Sequence, residues 1–434
     1  MDTALGSQPS HRSRIVERGR VAAVAEARPV MPLDRAVSDR IGEVDEAKLR
    51  AGRLERFRAE LRRRDVAGAL LTDPINLRYA TGSRNMAVWT MHDGGRYAFV
   101  ATEGPVVLFE FASSRHVSRD LDTVDEQRTS TPFTYFLAGP RVGEKTLRWA
   151  EEIAGLVERH GGGNRRLAVD RCDPEPAACL IARGIELVSV QPAIEQARMI
   201  KTAEELRCMH AAMTVCDLAV ERIRASLEPG VTENQLWSVL HETNIAYGGE
   251  WIECRLLASG QRTNPWFQEC GDRLIRAGDM VGFDTDMVGP HGYMADISRS
   301  LVCPGRPATD RQRHLYELAQ EQVLFNIERL RPGVAFREFA ETSWPVPDRF
   351  VANRYSMMVH GVGLVDEYPS VAYPQDFAAW GYDGLFAEDM VVSVESYIGE
   401  PGGPDGVKLE QQVLITARGA VPFSRSPLVD ALQV

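Results

Sequence analysis

No stretch of this chain reaches the roughly 18 consecutive apolar residues that a membrane span requires. The opening residues, MDTALGSQPSHRSRIVERGR, hold no apolar core of the kind a secretion signal carries. Paired cysteine is missing as well. Cys172, Cys179, Cys208, Cys216, Cys254, Cys270 and Cys303 form no CxxC pair and have no histidine partners at metal-site spacing. Their odd count and scatter argue against a disulfide framework and fit reduced thiols, so a cytoplasmic setting is expected. Positive charge is in deficit: 50 Lys and Arg against 61 Asp and Glu leave a formal net charge of −11. Nothing here neutralises phosphates in bulk, so neither nucleic acid nor a membrane is an expected partner.

What is present suffices for real cores. The chain has 434 residues, 44% of them hydrophobic and 26% charged, which suits two or three ordinary domains. Residues 1–40 are weakly patterned and read as an N-terminal arm. A charged helix is predicted from about Val44 to Arg64, then an apolar strand, VAGALLT, at 66–72. Strand and helix segments alternate to about Ala193, so 41–195 reads as a small α/β domain. A second unit, 196–434, opens with a helix whose capping box is Thr202 with Glu205. Another capping box, Thr232 with Gln235, starts the next helix. LEPGV at 227–231 recurs as LRPGV at 330–334, each between helical stretches. The repeat suggests a duplicated α/β half with a pocket between the two copies.

Acids interrupt the apolar strands of this second unit. In DMVGFDTDMVG (279–289), Asp284 and Asp286 lie two apart and are expected on one strand face. The chain then turns through GPHGY and returns with Asp296, close to Asp286 across a hairpin. His360 ends SMMVH, Glu395 interrupts MVVSVESYIG, and Glu410 interrupts GVKLEQQVLIT. One buried acid is readily a paired structural group. Five acids and a histidine within one domain call for cations, because adjacent buried carboxylates repel and lose hydration. Bridging carboxylates point to two divalent ions, and oxygen donors with one imidazole suit Mn²⁺, Fe²⁺ or Co²⁺ better than a thiolate zinc site. Of the other histidines, His291 in the hairpin turn is expected to be solvated. His210 and His241, in helices, are expected to be structural.

The ordered set Asp286, Asp296, His360, Glu395 and Glu410 resembles the ligands of the pita-bread superfamily of creatinases, prolidases and methionine aminopeptidases. The resemblance implies a creatinase-like N-terminal domain followed by a catalytic domain of pseudo-twofold halves. Proline-specific peptidases of that fold carry two further histidines. Here Trp266 (in SGQRTNPWFQ) and Asp366 (in HGVGLVDEYP) stand in their places. Both departures are similar to the metallopeptidase-like dimethylsulfoniopropionate lyases. That similarity runs through 248–273, 283–300, 360–374 and 408–416, and extends to NMAVWTMHD at 85–93. It adds Asp284 to the ligand set and favours iron, with Mn, Co or Zn as other occupants. It also implies that Asp366 is the base of a β-elimination and that Tyr355 lines the substrate pocket.

A small zwitterion with a sulfonium end would seek aromatic faces, and Trp89, Trp266, Phe267 and Tyr355 are the candidates. Trp89 and Tyr97 lie in the N-terminal domain, which in this superfamily often closes over a partner's site, so a homodimer is expected. The alternative is a hydrolase of the same fold, acting on Xaa-Pro peptides or small amides.

Overall fold

The computed structural model describes residues 33–428 and Leu432. Most of the expected arm at 1–40 lies outside the described residues. Its last part forms a short helix, Arg35–Ile41. The charged helix spans Glu46–Arg63 and is capped by Asp45, whose side chain accepts the Lys48 N–H at 3.1 Å.

The N-terminal part of the chain builds a six-stranded mixed sheet. Its strands are β1 (Gly68–Leu71), β2 (Tyr97–Ala101), β3 (Val106–Glu110), β4 (Glu126–Thr129), β5 (Arg166–Val169) and β6 (Glu186–Ser189). The order is β4-β3-β2-β1-β5-β6, with β1 antiparallel to β2 and parallel to β5. β1 to β3 are apolar but for Glu110 at the end of β3 and are buried on both faces, the pattern of interior strands. Helix Val142–His160 lays Trp149, Ile153 and Leu156 on this sheet, where they pack with Tyr97, Phe99 and Phe109. Tyr97 is therefore a core residue, stacked on Phe109 at 4.4 Å.

The C-terminal part uses two three-stranded sheets and one of five strands. β7 (Trp251–Ile252) pairs with β10 (Met287–Val288), which pairs with β11 (Met294–Ala295). β8 (Leu257–Ser259), β9 (Met280–Asp284) and β12 (Ser298–Val302) form the second sheet. The third runs β14 (Asp366–Val371), β13 (Val359–Val362), β15 (Val391–Ile398), β16 (Val407–Thr416) and β17 (Gly419–Pro422). Both predicted capping boxes form, on helices Ala203–Ser226 and Glu233–Ala246.

The two PGV segments are matched in backbone detail. Gly230 donates to the Ile275 carbonyl at 2.9 Å, and Gly333 donates to that of Phe386 at 2.8 Å. The return bonds match too, Ile275 to Val231 and Phe386 to Val334. Both glycines have positive φ, +102° and +90°, which a side chain would strain. Each copy is followed by a helix, Glu233–Ala246 and Phe336–Thr342. The duplication suggested by the sequence is thus built into equivalent turns.

Candidate active site

Six side chains converge where these C-terminal sheets meet. Asp284 ends β9. Asp286 lies in the break between β9 and β10, and Asp296 in the break between β11 and β12. His360 is on β13, and Glu395 on β15 faces Glu410 on β16 as direct cross-strand partners. The expectation that Asp284 and Asp286 share one strand face is corrected here. The strand stops at Asp284, the chain kinks at Asp286 (φ +34°), and β10 joins a different sheet. The kink still brings the carboxylates together. Ligand atoms of Asp284, Asp286 and Asp296 lie within 4.8 Å of one another, as do those of Asp296, His360 and Glu410.

The imidazole is aimed by its surroundings. His360 Nε2 faces Glu395 at 3.3 Å and Asp296 and Glu410 at 3.5 Å. Its Nδ1 side faces the Gly361 carbonyl at 3.2 Å and the Asp366 carboxylate at 3.4 Å. This leaves Nε2 for a shared cation while the other nitrogen is held from behind. Further polar groups fix the acids. Ser298 donates to Glu410 at 2.8 Å, and the Gln412 side chain accepts the Asp296 N–H at 2.9 Å.

Lys408 is the member that sequence reasoning missed. Its ammonium is fully buried, 2.5 Å from Glu395 and 3.3 Å from both Asp284 and Glu410. It also bonds Ser298 at 2.6 Å and lies 4.5 Å from the centre of the Tyr355 ring. The signal was available: Lys408 and Glu410 are two apart on one strand and share a face.

Electrostatics show a cluster short of positive charge. Burial pushes the Asp284 carboxyl well above its usual range although Lys408 opposes this, and burial with the Glu410 charge does the same at Asp296. Asp286 is pushed up to about 7 by burial and then by the charge of Asp366. Glu410 is the exception. Burial works against its charged form, yet Lys408 and His360 hold it well below the carboxylate range. Burial likewise disfavours the charged forms of Lys408 and His360, and the surrounding acids overcome it in both. The donors suit divalent cations. Asp284 Oδ1, Asp296 Oδ1 and Glu410 Oε1 are buried with no hydrogen-bond partner, and a cation would satisfy those lone pairs.

Around the cluster, Asp366 begins β14 with its side chain 59% exposed, whereas neighbouring Glu367 is buried and locked to Lys201 at 2.7 Å. Burial against the surrounding protein raises the Asp366 carboxyl, and the His360 charge opposes it. Water at that exposure screens both effects. Phe267 stacks on Tyr355 at 5.3 Å, and Trp266 lies 5.9 Å from the Lys408 ammonium. Trp89 is not brought to this group within one chain. It packs on Phe111 and Phe136 instead. His291 departs from its expected solvation: its ring is 14% exposed, bonds the Ile41 carbonyl at 2.9 Å and faces Glu46.

Comparison with known proteins decides the family. The chain is 39% identical over 394 residues to the dimethylsulfoniopropionate lyase DddP of Roseovarius nubinhibens, an alignment covering 89% of this chain and 88% of that one. It is 38% identical, with the same coverage, to the DddP of Roseobacter denitrificans. The chain belongs to the DddP family. Within it, residues 53–200 match the creatinase/prolidase N-terminal domain and 207–417 match metallopeptidase family M24, a family of divalent-metal enzymes. Among solved structures, the prolidase of Pyrococcus furiosus superposes with a TM-score of 0.67 at 22% identity, covering 85% of this chain and 99% of its own. The Xaa-Pro dipeptidase of Bacillus anthracis gives 0.68 at 20% identity, covering 88% and 99%. These likenesses establish the pita-bread fold and no more.

Proposed function

We propose that this DddP-family enzyme is a metal-dependent lyase that splits dimethylsulfoniopropionate into dimethylsulfide and acrylate. The observation that carries the reading is the 39% identity to a named lyase across nearly its whole length. The position of Asp366 supports it: a carboxylate stands 3.4 Å from His360, beside the acidic cluster. We assign residues 41–195 to the N-terminal domain and 196–434 to the catalytic one.

Asp284, Asp286, Asp296, His360, Glu395 and Glu410 would hold two divalent ions, iron being favoured by the resemblance. Bound there, the metal supplies Lewis acidity for negative charge developing at the substrate carboxylate. Asp366 takes the proton from the carbon next to that carboxylate. The electron pair freed from carbon becomes the new double bond. The carbon–sulfur bond breaks and its pair leaves on sulfur, so a sulfonium departs as neutral dimethylsulfide. The proton stays on Asp366 until solvent removes it. The sulfonium end is received on aromatic faces. Lys408 already lies over Tyr355, so Phe267, which is 57% exposed, is the more open face.

A cytoplasmic homodimer completes the reading. No described helix is long and apolar enough to cross a membrane. Around Trp89, exposed Met86, Val88, Tyr135 and Phe136 support a second copy covering this surface. The test is headspace detection of dimethylsulfide from purified, metal-analysed protein given dimethylsulfoniopropionate. Rapid, chelator-sensitive release is expected. Silence from metal-loaded protein, with cleavage of Xaa-Pro dipeptides instead, would move the chain to the peptidase alternative.

A further inference from the structure

Away from the acidic cluster, and sharing no residue with it, four arginines line a cavity of about 240 Å³. Arg50 and Arg53 are three apart on helix Glu46–Arg63 and so project from one helix face. Arg78 comes from helix Pro74–Thr81, and Arg84 follows that helix. The backbone is shaped to admit them. A Cβ on Gly82 (φ +75°) would overlap the Arg50 side chain, and one on Gly292 (φ +72°) would overlap the Arg78 guanidinium.

Four acids face the four arginines, but they engage them unevenly. Glu250 Oε1 alone accepts from both Arg78 (2.6 Å) and Arg84 (2.9 Å). Arg50 is held by Asp122 at 2.8 Å and Glu46 at 3.4 Å, both of them well exposed. The acid facing Arg53 is Glu205, whose oxygens are engaged by the Tyr293 hydroxyl at 3.0 Å and the Thr202 N–H at 2.7 Å. Arg53 is only 2% exposed, and its Nε and Nη1 have no hydrogen-bond partner. Buried donors normally find one. Unpartnered donors on one guanidinium, in a cavity with three more, are the kind of donor that a phosphate or similar oxyanion accepts from.

We propose that this arginine cavity is a binding site for a phosphate-type oxyanion, either the free ion or the phosphate group of a small metabolite. The inference is independent of the lyase reading, because it rests on Arg53 and its neighbours alone.

Titrating the full-length, metal-loaded protein with inorganic phosphate at constant ionic strength tests it, read as the shift in melting temperature and by calorimetry. A saturable shift with a Kd near or below about 1 mM is expected. Arg53→Met should weaken binding about tenfold or more, and Arg84→Ala, on the 61% exposed rim, several-fold. Should Arg53→Met fail to fold, Arg84→Ala alone decides. A phosphate monoester run in parallel separates the two sources: tighter binding than phosphate assigns a phosphorylated metabolite, and equal or weaker binding assigns the free ion. No saturable shift, or one unchanged in the folded arginine variants, overturns the proposal.

Discussion

Replacing Lys408 with methionine should destabilise the metal-free enzyme far more than the metal-loaded one. Lys408 lies fully buried among Asp284, Glu395 and Glu410, within 3.3 Å of all three. Methionine keeps most of the side-chain volume and removes the charge. Without metal, the five carboxylates of the cluster then keep only His360 as a buried cation. Removing one partner of a buried ion pair costs about 3–5 kcal/mol, chiefly because the other charge is left uncompensated. At about 2–4 °C per kcal/mol for a domain of this size, the midpoint should fall by on the order of 10 °C. Two divalent ions change the balance. Their four positive charges, with Lys408, match five carboxylates, so losing the lysine leaves one unmatched charge in a strongly cationic site. Less than about half of the apo effect is expected there. The assay is thermal unfolding of parent and variant at about pH 8, with and without chelator. Equal losses in the two states would show that Lys408 does not share charge balance with the metals. No loss in the chelated state would show that the ion pairs carry no stability.

Two further outcomes follow from the same geometry. Asp366→Asn should lower kcat for elimination by about 100-fold or more while metal content is retained, since a general base typically contributes 10²–10⁴-fold. Loss of metal in that variant, measured by elemental analysis, would make Asp366 structural. The second concerns pH. Asp286 is pushed up to about 7 in the folded, metal-free protein, against about 3.9 for an unfolded aspartate. A raised folded value gives stability that is present below the unfolded pKa and is lost as pH climbs through the folded one. The chelated protein should therefore lose stability between about pH 4 and pH 7, whereas the metal-loaded protein should gain over that interval as metal displaces protons. Parallel pH profiles with and without metal would contradict this.

Much of the site was legible because its chemistry conflicts with its setting. An acid in an apolar strand stands out, and Glu395 and Glu410 do so at positions where strand pairing is regular, while Asp296 sits in the short break between β11 and β12. Asp284 and Asp286 stood out for the same reason, but the geometry inferred for them was wrong. Alternation holds only while a strand continues, and a break with positive φ at Asp286 is set by pairing to two separate sheets. Lys408 escaped notice because a lysine in a strand ordinarily reads as an exposed edge residue. Its burial depends on three acids supplied from β9, β15 and β16. His291 was misjudged in a similar way: the carbonyl it binds, on Ile41, is 250 residues away in sequence. The arginine cavity was invisible for that reason as well, since its walls come from segments that no local pattern connects.

The two positions that separate a lyase reading from a peptidase reading sit differently in the structure, and the difference bears on which of them governs the chemistry. Trp266 is buried, near Lys408 and Tyr397, with an indole N–H that has no partner. It fills volume beside the cluster and offers one donor. Asp366 instead puts a proton acceptor beside the imidazole at the open side of the cluster. Peptide hydrolysis at such a site needs groups that stabilise an oxyanion, and a carboxylate at that place repels one. Elimination needs a base close to the carbon that loses its proton, and a carboxylate raised above its usual range is suited to that. The scaffold and the acidic cluster are compatible with either reaction. The carboxylate of Asp366 favours elimination.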